Sequence, residues 1–390
     1  MIASAVGLSE IEDSRKAGEE AAGKAIRSLK NQANLIIVFA SSRHNQEEVI
    51  AGINAVSGDA EVVGCSDAGQ ITGNEKSVSK GGVVAMALHL GDVKLVTAEA
   101  KGAREDSHAA GKSLAESIIE KNGEKPSLLV IFIEGLAENG AAVVRGIQEV
   151  LGENFPIMGG SAGDDFRFEK THQYHQGKVL TGSVVGIALT GEFSFGMGVK
   201  HGWEPIGLPM TVTKAKGAVL QEVDGKPALS IYQDYFGKRS EELIKEPLAK
   251  MAYTYPLGMA VDGNEELLIR DVVIANEAGE ITAAAEIPEG SQVRLMIGDR
   301  EKAIAAAAIA AENAMQGIKG NVKAAIMFNC IARNKLLGVE CGTEINAVRE
   351  VIGKDVPMIG FYTYGEVGPF QKGEKSVFHN ETMNLLLLGE

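Results

Sequence analysis

One element written three times constrains this chain more than anything else in it. Val62-Val63-Gly64-Cys65-Ser66-Asp67-Ala68-Gly69 is a short apolar run, a glycine, and a small polar loop carrying a second glycine and an acid. Pro156-Ile157-Met158-Gly159-Gly160-Ser161-Ala162-Gly163-Asp164 repeats that order. So does Pro357-Met358-Ile359-Gly360-Phe361-Tyr362-Thr363-Tyr364-Gly365-Glu366. Self-similarity at long period means one supersecondary unit used repeatedly. Each apolar run reads as a strand that stops at its glycine, Gly64, Gly159 or Gly360, and a shaped turn follows.

The surroundings repeat as well. Upstream of each element lies a continuous apolar run (residues 35–39, 128–133 and 324–328) of the kind found in strands buried on both faces. Phe39, Phe132 and Phe328 occupy comparable points near the ends of those runs. Helical periodicity falls at residues 9–29 and 46–56, at 106–121 and 141–151, and at 300–315 and 344–352. First strands are expected at 2–6, 93–98 and 292–297, and closing strands at 82–88, 182–190 and 384–388. Residues 329–338 read as a loop. The expected fold is α/β, with mixed, largely parallel sheets built from three βαβαββ-type units, helices packed on the sheets, and a chain reversal after each glycine loop. The units span about 1–92, 93–192 and 291–390.

Residues 193–289 differ and form an inserted β-rich segment. It holds a strand at 211–213, a tight turn at Asp224-Gly225, a helix at 228–236, and a hairpin formed by 267–275 and 281–285. The lone Trp203, in a glycine-flanked turn, reads as a packing anchor between halves. Two domains are expected, 1–222 and 223–390, packed tightly because no Pro- or Ser-rich linker divides them.

Composition narrows the function classes. The net charge of −14 over 390 residues, with no basic run, argues against nucleic acid and anionic membranes as partners. Three scattered cysteines make neither a disulfide framework nor a zinc motif. The start of the chain lacks the pattern of a signal peptide, and the alanine-rich stretch 303–311 is too short to span a bilayer, so a cytoplasmic location is expected. No metal or cofactor is expected: His172-x-x-His175 with His201 completes no ligand pattern, and the glycine loop at 159–163 lacks the lysine of a phosphate cradle and is followed by Asp164-Asp165.

In a doubly wound arrangement, loops at the carboxyl ends of parallel strands gather at one edge and build the site. The first unit then contributes Ser41, Ser42, Arg43, Ser66 and Asp67, and the second Glu134, Ser161, Asp164 and Asp165. The third contributes Arg333 and Glu366, the two leading candidates. Acids, arginines, hydroxyls and open backbone amides suit a small zwitterion, its carboxylate on Arg or loop N–H groups and its amine on Asp or Glu. Cys330 follows a buried strand near Arg333 and is a candidate nucleophile, although a free cysteine more commonly packs as a small hydrophobe.

Phe328-Asn329-Cys330-Ile331-Ala332-Arg333, the stretch 356–368 and Asn380-Glu381-Thr382 closely resemble the FIST C-terminal domain. Residues 64–69, 159–164 and 201–207, and Val212-Thr213 leading to Asp224-Gly225-Lys226-Pro227-Ala228, resemble the FIST N-terminal domain. The resemblance implies a sensory module that binds a small ligand, an amino acid or a relative, and signals through a separate protein. The expected ligand-binding set takes in Cys65, Gly160, Cys330, Tyr364 and Gly365 beside the groups above. Two other classes stand next to this reading: an enzyme with Glu366 or Asp164 as general base, and a scaffold without a ligand. No nucleophile–base pair or metal set is readable at a definite spacing, which weighs against the enzyme.

Overall fold

The computed structural model describes residues 1–73, 78–137, 139–247, 250–261 and 263–390. Three six-stranded sheets share one plan. In the first, Ala3–Ser9, Val83–His89, Leu35–Ser41 and Glu61–Asp67 lie side by side. In the second the corresponding strands are Lys94–Lys101, Ser183–Thr190, Leu128–Ile133 and Ile157–Ser161. In the third they are Ser194–Lys200, Met383–Gly389, Val322–Cys330 and Met358–Thr363. One ladder per sheet is parallel, the apolar run beside its glycine strand. The sheets are therefore mixed but less parallel than the sequence suggests, because each closing strand inserts antiparallel between the first strand and the buried one.

Each sheet is completed by a hairpin from another unit. The hairpin Gln70–Thr72 with Val78–Ser79 leaves the first unit and pairs with Met358–Thr363 of the third. Gln173–His175 with Lys178–Leu180 leaves the second and pairs with Glu61–Asp67 of the first. Glu366–Pro369 with Ser376–His379 leaves the third and pairs with Ile157–Ser161 of the second. The exchange closes a ring, so no unit completes its sheet alone. At the centre, Phe39 meets Phe132 at 5.7 Å and Phe361 at 4.3 Å, and Phe328 lies 6.2 Å from Phe132.

Three expectations change. Residues 331–337, expected as part of a loop, form the helix Ile331–Leu337. The third unit opens with Ser194–Lys200, not with residues 292–297: Gln292–Gly298 lies in the inserted sheet beside Trp203–Lys216 and Leu257–Met259. The inserted segment therefore divides the third unit between its first strand and its first helix. Gly64, Gly159 and Gly360 stand inside strands and do not end them. A Cβ on these residues would lie 1.8, 2.2 and 2.5 Å from the carbonyl oxygens of Val38, Ile131 and Met327 on the neighbouring strands, so close approach of backbones, not a turn, calls for glycine.

Helices cover the sheets in pairs. Asp13, Asn45, Asp106, Asn139 and Asp299 each cap a helix by accepting from the N–H three residues on. In the first unit, Gly18 packs on the Val49 carbonyl and Gly52 on the Arg15 carbonyl, which brings Ser14–Ser28 and Gln46–Ser57 into backbone contact. In the inserted sheet, Asp224 (φ 50°) and Gly225 (φ 75°) form the tight turn between Val219–Val223 and Lys226–Pro227. Val272–Ala275 and Ile281–Ala283 form the expected hairpin. Among the described residues no helix is long and apolar enough to cross a membrane.

Candidate functional site

A cavity of about 800 Å³ opens where the second unit, the third unit and the inserted sheet meet. Gly135, Leu136, Ala137 and Asn139, which follow the strand Leu128–Ile133, form one wall. The inserted sheet forms another with Lys216, Val219, Val273 and Ala284. Phe168 and Tyr364, stacked at 5.2 Å, form a third, and Cys330, Ile331 and Asp271 close the inner end. A second cleft of about 750 Å³ lies at Lys250, Asp299, Arg300 and Glu340 and is rimmed by charges of both signs.

The inner end of the first cavity rests on buried acids. Asp271 is 4% exposed and Glu381 is fully buried at φ 59°. Their carboxyls hydrogen-bond to each other, which requires one proton between them. Burial pushes both upward. Glu381 is pushed well up, helped by the charge of Asp271, while the bond from Glu381 partly offsets the rise at Asp271. The pair therefore shares a proton between two raised carboxyls. Apart from the proton that the two carboxyls share, no donor of the described residues reaches Asp271 Oδ1 or either Glu381 oxygen.

Glu366, also fully buried, accepts from the Thr363 hydroxyl at Oε1, and from Thr382 N (3.2 Å) and Thr382 Oγ1 (2.8 Å) at Oε2. Burial raises its carboxyl to about 8 against these opposing bonds. Cys330 lines the cavity, but burial and the charges of Glu366, Asp271 and Glu381 push its thiol well up. It is a neutral thiol and a poor nucleophile.

Arg333 has a different task from the one its sequence suggests. Nε and one Nη2 N–H bind Glu344 Oε2, the second Nη2 N–H binds the Ala303 carbonyl at 2.7 Å, and Nη1 serves the carbonyls of His201 and Glu381. A guanidinium has five N–H groups, and all five are engaged. Trp203 covers its face at 5.6 Å and donates from Nε1 to the Tyr253 carbonyl, so the expected anchor packs on the arginine. Arg333 braces the site and offers no donor to a ligand.

The other expected residues fall into separate groups. Tyr364 lines the cavity, its hydroxyl donating to Asp164 and accepting from Phe166 N. Asp164 also accepts from the N–H groups of Phe168, Glu169 and Lys170, so it shapes that loop. Glu134 takes bonds from Arg104, Thr171, Leu136 N and Gly182 N and holds the loop behind the cavity wall. Gly160 and Gly365 admit Thr363 and Phe378 at close range, and Ser161 N binds the Gly365 carbonyl. The first unit's residues gather elsewhere: Ser41 and Ser42 donate to Asp165, Ser66 to the Gly163 carbonyl, and Arg43 is exposed. Asp67 accepts from Gly69 N and Gln70, while burial and then Asp165 push its carboxyl well up. Cys65 beside it is raised by burial and Asp67. His175 bonds Glu99 and Thr97, and no group of three or more His, Cys, Asp or Glu among the described residues has metal-holding geometry.

Sequence reasoning left out Asp271, Glu381, Lys216 and Phe168. Glu381 stood inside the Asn380-Glu381-Thr382 motif, next to an apolar strand where an acid needs a reason. Asp271 carried no comparable signal, since it sits between two short strands, Leu268–Arg270 and Val272–Ala275.

Three mixed α/β units and an inserted sheet thus enclose a composite cavity. The chain belongs to the FIST family: residues 34–226 match the FIST N domain and residues 228–369 the FIST C domain, a family associated with sensing in signal transduction. An uncharacterized protein of Mycobacterium tuberculosis is 27% identical over 380 residues, covering 93% of this chain and 94% of that one. One of Methanocaldococcus jannaschii is 29% identical over 307 residues, covering 72% and 57%. Among solved structures, a chorismatase (TM-score 0.34) and a cyanuric acid hydrolase from A. caulinodans (TM-score 0.33) superimpose loosely, each at 8% identity over 100% of this chain and 99% of that one.

Proposed function

We propose that this chain is a cytoplasmic sensor that binds a small polar metabolite, an amino acid or derivative, in the 800 Å³ cavity and signals through a separate protein. The observation that carries the reading is Asp271, a buried acid lining the cavity whose only side-chain partner among the described residues is the equally buried Glu381 carboxyl. Such a group is costly to bury unless something supplies the missing bond. Apolar walls with few polar groups and a volume of this size suit a metabolite. Because the walls come from three separate segments, a ligand touching all of them favours one arrangement, and a partner can read that bias. Three unpaired cysteines agree with a reducing compartment.

A second reading has one observation behind it. Two carboxyls sharing a proton form an acid–base unit, so the pair Asp271–Glu381 suits proton transfer to or from a bound compound. Mass spectrometry of a bound compound after prolonged incubation separates the two, since a sensor returns it unchanged. The sensor reading is tested by thermal unfolding across amino acids, their derivatives and small carboxylic acids. A ligand at a hundredfold excess over its Kd stabilises the fold by about 2.7 kcal/mol. A panel in which no compound raises Tm contradicts the sensor reading and turns attention to a scaffold role.

A further inference from the structure

We infer that the group this cavity selects on its ligand is a protonated amine, and that a carboxylate on the ligand is dispensable. The inference rests on the cavity being the ligand site. Three arginines that could hold a carboxylate are committed elsewhere. All five donors of Arg333 go to protein acceptors, Arg104 is bonded to Glu134, and Arg270 serves the carbonyls of Ile269, Phe378 and Glu286. Three backbone N–H groups of one wall are also engaged: Gly135 N on Thr171, and Leu136 N and Ala137 N on Glu134. Only Lys216, exposed at the rim, offers a positive charge among the lining residues.

The opposite charge is built in and left unanswered. Three buried acids, Asp271, Glu381 and Glu366, gather at this end of the cavity, and Arg333, the guanidinium that acts on Glu381, is already paired with Glu344. An ammonium group carries three donors and no acceptor, so it can pair with the Asp271 carboxyl at the cavity wall and balance the acids gathered behind it. A carboxylate at that position meets like charge. The stacked faces of Phe168 and Tyr364, with Val219, Val273 and Ile331, suit a compact apolar or aromatic body and favour a cation beside it. The ligand class is therefore a primary amine with an apolar body, of which an amino acid is one case.

The test is isothermal titration of the full chain with matched probes: phenylalanine, 2-phenylethylamine and 3-phenylpropanoate, then leucine, 3-methylbutylamine and 4-methylpentanoate. In at least one series the amine should bind about as tightly as the amino acid or tighter, and the deaminated acid should not bind. Asp271→Asn, which keeps an acceptor for the Glu381 proton, should weaken amine binding by about tenfold or more, whereas Lys216→Ala should change it by less than about threefold. Binding that needs the carboxylate, or an acid that binds as well as its amine, overturns the inference while leaving the cavity as a ligand site. No binding in either series overturns the inference of an amine with an apolar body, whereas the sensor reading falls only if the wider thermal panel is also blank. Should Asp271→Asn fail to fold, the wild-type comparison of amine with acid decides by itself.

Discussion

Arg333 and Glu344 form an ion pair in which neither side chain has any exposure to solvent. Glu344 Oε1 takes a further bond from Asn329, so the pair ties the end of the strand Val322–Cys330 to the helices Ile331–Leu337 and Cys341–Ile352. Removing one partner of a buried pair strands the other charge and costs about 3–5 kcal/mol. Arg333→Ala should therefore lower stability by that order in chemical denaturation. A variant with wild-type stability that loses ligand affinity would make Arg333 a ligand contact after all.

Glu366 gives a pH signature. Its folded carboxyl titrates at about 8, above the ordinary 4.5, so between those values the folded chain holds a proton that the unfolded chain has released. Stability from this group is complete below the ordinary carboxyl value, declines as pH rises, and levels off above about 8. Glu366→Gln, uncharged throughout, should gain stability relative to wild type between pH 5 and pH 9. A difference between the two that does not change with pH would contradict the buried neutral carboxyl.

Ligand binding should carry its own pH dependence. The groups facing Asp271 are Glu381, Glu366, the Cys330 thiol, the Tyr232 hydroxyl and, beyond them, Arg333. Because burial raises the Asp271 carboxyl, an ammonium ligand should lose affinity on acidification at a pH above the usual carboxylate range. Titrations in a pH series check this. Affinity that stays constant down to the ordinary carboxylate range would remove Asp271 from the contact.

Close helix packing in the first unit predicts an inverted glycine effect. Alanine in a helix interior is ordinarily better than glycine by about 1 kcal/mol. At Gly52 the new Cβ would sit 2.0 Å from the Arg15 carbonyl oxygen, a backbone atom with nowhere to go. Overpacking costs about 1–3 kcal/mol, so Gly52→Ala should destabilise the fold despite its propensity. A denaturation midpoint equal to or above wild type would show that the helices part easily.

Much of the fold was legible because burial leaves a pattern. The runs ending near Phe39, Phe132 and Phe328 could be aligned from apolarity alone, and the three rings do converge. The strand Ser194–Lys200 was not legible. Its glycines weaken any strand signal, and they stand there because the carbonyls of Ala314 and Ala310 approach Gly196 and Gly198. The ring of exchanged hairpins was hidden for another reason: pairing partners far apart in sequence leave no local mark. The same holds for the candidate site. Cys330 and Tyr364 line the cavity and Glu366 lies behind it, yet Arg333, whose charge suggested a ligand, is spent on carbonyls that only the fold brings near. Asp271 and Glu381 meet through tertiary packing, which no spacing predicts.

Hydrogen exchange with a saturating amine probe tests the central claim most directly. Binding in the 800 Å³ cavity should slow exchange at Ala218 and Ala284 in the inserted sheet and around Cys330 and Ile331, and leave the cleft at Asp299 and Arg300 unchanged. Protection confined to that cleft, or none at a concentration that raises Tm, would contradict the account.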